Sequence, residues 1–209
     1  SQRTPVLLLN ATASAGHLFS ASVHPDSLRA EPRYAAATIT LSSANAHSYG
    51  RRRTTLADYL ATMANADWRA PADSLWYWFG EHGDELSALL DSYPLPPVVR
   101  AATPALLFSA AGDVSAAATS ALPYALSFGV AANGSGVPFH THNDGFAEVF
   151  HGAKRWLFYP TPPPRFDPNM TSSTWAATVL PTLSEREAPR ECVLHPGDLL
   201  YFPAGTYHA

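Results

Sequence analysis

Pro138-Phe139-His140-Thr141-His142-Asn143-Asp144-Gly145-Phe146-Ala147-Glu148 is the stretch on which the reading of this chain turns. If it is a strand, the two imidazoles at i and i+2 share a face, because successive side chains of a strand alternate. A second stretch, Gly197-Asp198-Leu199-Leu200-Tyr201-Phe202-Pro203-Ala204-Gly205-Thr206-Tyr207-His208, brings a third imidazole from far along the chain. Three convergent histidines raise a metal site, since neutral imidazole is a competent ligand for iron, zinc, copper and nickel. Asp144, at i+4 from His140, and Glu148 are secondary candidates as ligands.

Outward from these stretches the pattern is one of short strands with Gly and Pro corners. Tyr124 to Val130, an Asn133-Gly134 turn, Ala147 to His151, Arg155 to Tyr159, Glu191 to Leu194 and Leu199 to Phe202 all read as β structure, with Asn143 to Gly145 as a turn. Five prolines between Pro160 and Pro168 mark an extended surface connector, and Ser173 to Val179 is a candidate short helix. The first half is mixed. Thr4 to Asn10 and Ala37 to Leu41 read as strands, and His24 to Ala30 reads as a helix ended by Pro32. Leu56, Tyr59, Leu60 and Met63 recur at helical spacing behind the Thr54-Thr55 pair, which supplies a capping hydroxyl. Ser74 to Phe79 is a dense aromatic run, and Gly83 to Tyr93 reads as a helix stopped by Pro94, Pro96 and Pro97. Residues 94–120 suggest no element. The expected fold is α+β, mainly β: a small sandwich or barrel over 121–209, with the helices and strands of 1–120 packed around it as one domain.

Composition narrows the function. With 209 residues, of which 46% are hydrophobic, the chain can bury a substantial core. Its net charge of −4 and scattered basic residues, apart from Arg51-Arg52-Arg53, offer no field for nucleic acid. No apolar run reaches the roughly 18 residues of a membrane span. A single cysteine, Cys192, excludes an internal disulfide and reads as a small core residue. Three of the six asparagines, Asn10, Asn133 and Asn169, head acceptor sequons for glycosylation, which leans toward the secretory pathway. The chain begins at Ser1, so a targeting segment is expected to have been removed or omitted.

The motifs also carry a family resemblance. Gly197, Pro203, Gly205 and His208 have the spacing of the second cupin motif, and Gly134 with His140 and His142 resembles the first. Gly152-Ala153-Lys154-Arg155-Trp156-Leu157-Phe158-Tyr159-Pro160 sharpens this, so that the chain resembles the JmjC (jumonji C) family of iron and 2-oxoglutarate dependent oxygenases. The likeness extends upstream through Leu41 to Tyr49 and Tyr124 to Gly136.

That resemblance implies a double-stranded β-helix, the cupin or jelly-roll barrel, which is expected either to continue past Ala209 or to be left open there. It implies His140 as first metal ligand, His208 as last, and Lys154 as the partner of the distal carboxylate of 2-oxoglutarate, a charge-assisted bond. Two positions depart from the family. His142 stands where a carboxylate is usual, and Val137 stands where a hydroxyl residue is often found. The expected function is hydroxylation of a protein side chain in the endoplasmic reticulum lumen or outside the cell, with Fe(II) and 2-oxoglutarate as cofactors and a protein as substrate or partner. The alternatives are a catalytically silent JmjC-like binding module of a glycoprotein and a three-histidine cupin dioxygenase that does not use 2-oxoglutarate.

Overall fold

The computed structural model describes residues 4–12, 17–43, 50–63, 75–80, 84–101 and 125–209. Through the first half, the elements are β1 (Val6–Leu8), α1 (His17–Ser22), α2 (Pro25–Ala30), α3 (Pro32–Ala35), β2 (Thr38–Ser42), β3 (Arg51–Thr55), α4 (Leu56–Met63), β4 (Tyr77–Phe79) and α5 (Asp84–Asp91). The second half contributes β5 (Gly129–Ala131), β6 (Gly145–Glu148), β7 (Lys154–Tyr159), α6 (Ser172–Thr178), β8 (Arg190–Leu194), β9 (Leu199–Phe202) and β10 (Tyr207–His208). All described strand pairs are antiparallel, in three sheets ordered β3-β2-β4-β5, β1-β9-β6 and β10-β7-β8.

The four-stranded sheet and the N-terminal helices share one core. Ile39 and Leu41 alternate inward on β2 and meet Phe19, Val23 and Leu28 from the helices, Leu56, Tyr59 and Leu60 from α4, Trp78 from β4, and Leu86 and Leu89 from α5. The helical stripe read from the sequence is therefore core packing. Thr55 supplies the expected cap: its hydroxyl accepts from the Asp58 N–H at 3.1 Å and donates to the Asp58 carboxylate at 2.8 Å.

Two local expectations change, and two elements have no counterpart in the sequence reading. The helix over His24 to Ala30 ends before Pro32 as expected, and that proline opens a further helix, α3. Glu31 closes α2 through its N–H to the Ser27 carbonyl and caps α3 with its carboxylate, and a proline at the first helical position loses no hydrogen bond. The arginine run forms β3, paired along its length with β2. The strand expected over Tyr124 to Val130 is β5, Gly129–Ala131, while Tyr124 lies outside the described residues. Gly145, expected in a turn, begins β6, where the Phe202 ring fills the place a Cβ would take.

The two three-stranded sheets meet across a second core. Trp156, Phe158 and Leu194 of one sheet pack with Leu200 and Phe202 of the other. β7 has two different faces because its side chains alternate. Trp156 and Phe158 point to this shared interior, while Leu157 and Tyr159 point outward and pack with Phe139, Trp175 and Val179, beneath α6. Asp198 fastens the sheets at one corner, its carboxylate accepting from the Asn10 and His195 N–H groups. Among the described residues no helix is long and apolar enough to cross a membrane.

Candidate metal centre

Strand register builds the site. His208 is paired with Phe158 of β7, and His140 forms an isolated antiparallel bridge with His208, with N–H to O=C distances of 3.1 and 3.0 Å. Directly opposed residues point to the same side of a sheet, so His140 and His208 join Phe158 and Trp156 on the interior face. His142 lies beyond the bridge. Its carbonyl accepts from the Gly205 N–H at 3.0 Å, which ties it to the turn that carries His208. Ring centroids are 4.3 Å apart for His140 and His208, 4.7 Å for His142 and His208, and 5.6 Å for His140 and His142.

The three rings present one nitrogen each within 4.8 Å of one another, and because ligands of a single ion with bonds of about 2.0–2.2 Å lie at most about 4.4 Å apart, a small closure of the rings would bring all three into range. Their other nitrogens are already engaged. Nδ1 of His140 lies 2.8 Å from the Pro138 carbonyl, Nδ1 of His208 2.9 Å from that of Thr206, and Nδ1 of His142 2.7 Å from that of Asn143. A carbonyl only accepts, so each Nδ1 carries the proton and each Nε2 is left with a lone pair. Fixing the tautomer through a backbone carbonyl is how ligating histidines are commonly oriented. Burial lowers the pKa of His208 to about 3, aided by the neighbouring His140. Burial also lowers that of His140, with His142 and Lys154 contributing. His140 and His208 are thus neutral at ordinary pH, the form a metal requires, and the donor set fits a divalent ion. With no carboxylate in the cluster, such an ion would keep its full charge and attract an anion.

Lys154 opens β7 and carries its ammonium over the Trp156 ring, 3.9 Å from the centroid. Solvent reaches the side chain, yet surrounding protein crowds the ammonium and lowers its pKa to about 8. It is close enough to both His140 and His208 to depress their protonation.

The two secondary candidates stand outside the cluster. Asp144 accepts from the Tyr201 hydroxyl at 2.7 Å and from the Ala204 N–H at 3.1 Å. It therefore grips the same 203–206 turn as the His142 carbonyl and positions His208 through the backbone. Glu148 accepts from the Tyr93 hydroxyl, linking β6 to the segment after α5. Val137 is half-buried, and Asn10, Asn133 and Asn169 are all exposed. His24, His151 and His195 are exposed, as expected of surface histidines. His47 and His82, with most of the Leu41 to Tyr49 segment, fall outside the described residues.

Sequence reading missed one feature of the site. The Trp156 indole N–H is buried with no acceptor among the described residues, whereas Trp175 on the other side of β7 donates to the Pro164 carbonyl at 2.9 Å.

Residues 115–209 match the JmjC domain family. The chain is similar to JmjC domain-containing protein 8 of Mus musculus, 34% identical over 174 residues that cover 82% of this chain and 58% of the relative. Its counterpart in Rattus norvegicus gives the same figures, 34%, 82% and 58%. The Homo sapiens counterpart is 33% identical over 82% of this chain and 59% of its own length. The match therefore spans less than two thirds of the length of these relatives.

Proposed function

We propose that the chain, whose residues 115–209 match the JmjC domain family, is a metal- and 2-oxoglutarate-dependent oxygenase that hydroxylates protein side chains. The observation that carries the reading is the convergence of three histidines whose Nδ1 atoms are all engaged, leaving each Nε2 available as a ligand. In this reading the two facing three-stranded sheets are the walls of a double-stranded β-helix, and residues 1–120 are an accessory part of the same domain.

His140, His142 and His208 would hold Fe(II) through Nε2. When bound, the metal supplies activation of dioxygen, so that 2-oxoglutarate is oxidised to succinate and carbon dioxide while a substrate C–H becomes C–OH. The protein's own contributions are positional. Lys154 meets the distal carboxylate of the cosubstrate, a charge-assisted bond to a dianion. Phe158 and Phe202 line the interior around the rings and keep water from it. Asp144 and the His142 carbonyl hold the turn that presents His208. His142, the exposed member of the three, marks the side from which a protein side chain would approach.

The exposed sequons at Asn10, Asn133 and Asn169 support a location in the secretory pathway, in the lumen of the endoplasmic reticulum or beyond it. A mobility shift on endoglycosidase treatment of the protein from secretory cells tests this directly.

The decisive experiment is metal quantification on the purified chain followed by oxygen-dependent succinate release. Stoichiometric iron and turnover are expected. Absence of bound metal, or of succinate release by the iron-loaded protein, overturns the assignment. A second reading, a three-histidine oxygenase that does not consume 2-oxoglutarate, is favoured by the all-imidazole donor set. Lys154→Ala separates the two: it abolishes 2-oxoglutarate binding in the first and leaves oxygen consumption untouched in the second.

A further inference from the structure

Two donors on the interior face of β7 lack a hydrogen-bond acceptor among the described residues. Trp156 is 6% exposed, and its Nε1–H has no acceptor among the described residues. Such buried donors are rare in folded proteins, because burial forfeits the bond to water without replacing it. The neighbours of the ring explain the deficit. Phe158 stacks 5.9 Å away, Phe202 lies at 5.4 Å and His208 at 5.8 Å between centroids, and none of these side chains offers an oxygen. The second group is the Lys154 ammonium over the same ring, which pairs with no carboxylate among the described residues.

The two donors complement each other in direction. The ammonium stands over the ring face, where a cation is drawn to the π cloud, while the indole N–H lies in the ring plane. Both donors sit at one ring, so the two oxygens of one carboxylate can serve them, one on each, where the rings packed around the indole give way, since its nitrogen is closed to solvent as folded. We propose that the Trp156 indole N–H is a second donor to the carboxylate that Lys154 attracts, which makes Trp156 a ligand-positioning residue of the site as well as a core residue. The inference rests on the reading above that the site takes 2-oxoglutarate.

The test uses the whole chain loaded with Zn(II), which is redox-silent, and 2-oxoglutarate as the probe. Trp156→Phe keeps an aromatic ring and removes only the donor. It is expected to weaken 2-oxoglutarate binding roughly ten- to a hundred-fold, the range of a hydrogen bond to a charged group, with Zn(II) affinity unchanged. In the unmodified protein the Trp156 indole proton, assigned through its own backbone amide among the five tryptophans, should move downfield on addition of 2-oxoglutarate. That readout does not depend on the variant folding. Equal 2-oxoglutarate affinity in parent and variant, or an indole signal that stays put while the ligand binds, overturns the proposal and assigns the donor to a buried water or to packing alone. A parent chain that binds Zn(II) but no 2-oxoglutarate defeats the functional reading itself, and this proposal falls with it.

Discussion

The two faces of β7 are built from the same alternating strand yet end in opposite states. On the outer face the polar groups are satisfied within the protein: the Tyr159 hydroxyl donates to the Glu187 carbonyl at 2.6 Å, and Trp175, packed against that face, donates to Pro164. On the inner face an indole N–H and three imidazole lone pairs have no partner among the described residues, and an ammonium meets only the face of a ring. One face is complete as folded, and the other is complete only with a ligand. This contrast makes a clear demand on mutants. Changes on the outer face should alter stability and leave binding intact, and removal of the ligand-seeking groups of the inner face should act first on binding.

The largest expected effect lies on the outer face. Trp175 is 1% exposed and packs against Phe139 and Tyr159 at 4.9 and 6.0 Å between ring centroids. Trp175→Ala should lower unfolding free energy by about 3–5 kcal/mol, read as the denaturation midpoint, while the folded fraction binds metal with parental affinity. A loss of metal affinity in the folded fraction would break the separation of the faces. Next comes His208→Ala on the inner face. Losing a group that merely supports a ligand already weakens metal binding 10–100-fold, so losing a ligand should exceed about a hundred-fold. The same variant should lose the stabilisation that a hundred-fold excess of Zn(II) over its dissociation constant gives the parent, about 2.7 kcal/mol. Retention of that metal-dependent shift would remove His208 from the centre.

What could be read in the sequence follows from the range of the forces involved. The strands of the second half were legible because alternation is local, as in Trp156 and Phe158 against Leu157 and Tyr159. The pairing of His140 with His208 is not local. It was legible only through motif spacing, since nothing between residues 140 and 208 states the register of β10 on β7. β3 escaped notice because an exposed edge strand needs no apolar period: Arg51, Arg52 and Arg53 are held by backbone pairing to β2, and charge on an edge discourages pairing with another chain. The partners of Asp144 and Glu148 lie 55 to 60 residues away, out of reach of any local pattern. Trp156 is the plainest case, because a missing acceptor is a property of everything around the ring and of nothing in its neighbours along the chain.

Smaller effects sharpen the contrast further. Tyr159 is 8% exposed and makes one hydroxyl hydrogen bond on the completed face, so Tyr159→Phe should lower stability by about 1 kcal/mol without changing metal or 2-oxoglutarate binding. A smaller change, with parental binding, would mean that water replaces the phenol at the Glu187 carbonyl.

Arg155 sets the lower limit. It too points outward from β7, and its guanidinium reaches the Glu191 carboxylate of β8 at 2.5 and 3.2 Å. Both side chains are about half exposed, so the pair is screened by solvent and must hold two long side chains in one arrangement. Arg155→Ala should therefore shift stability by about 0–1 kcal/mol, and less in high salt. Arg155 sits between Lys154 and Trp156 in sequence but on the opposite face, which makes it the sharpest control for the inner-face assignments. If Arg155→Ala weakened 2-oxoglutarate binding as much as Lys154→Ala does, alternation along β7 would not separate binding from stability, and the corner assigned to Lys154 and Trp156 would have to be abandoned.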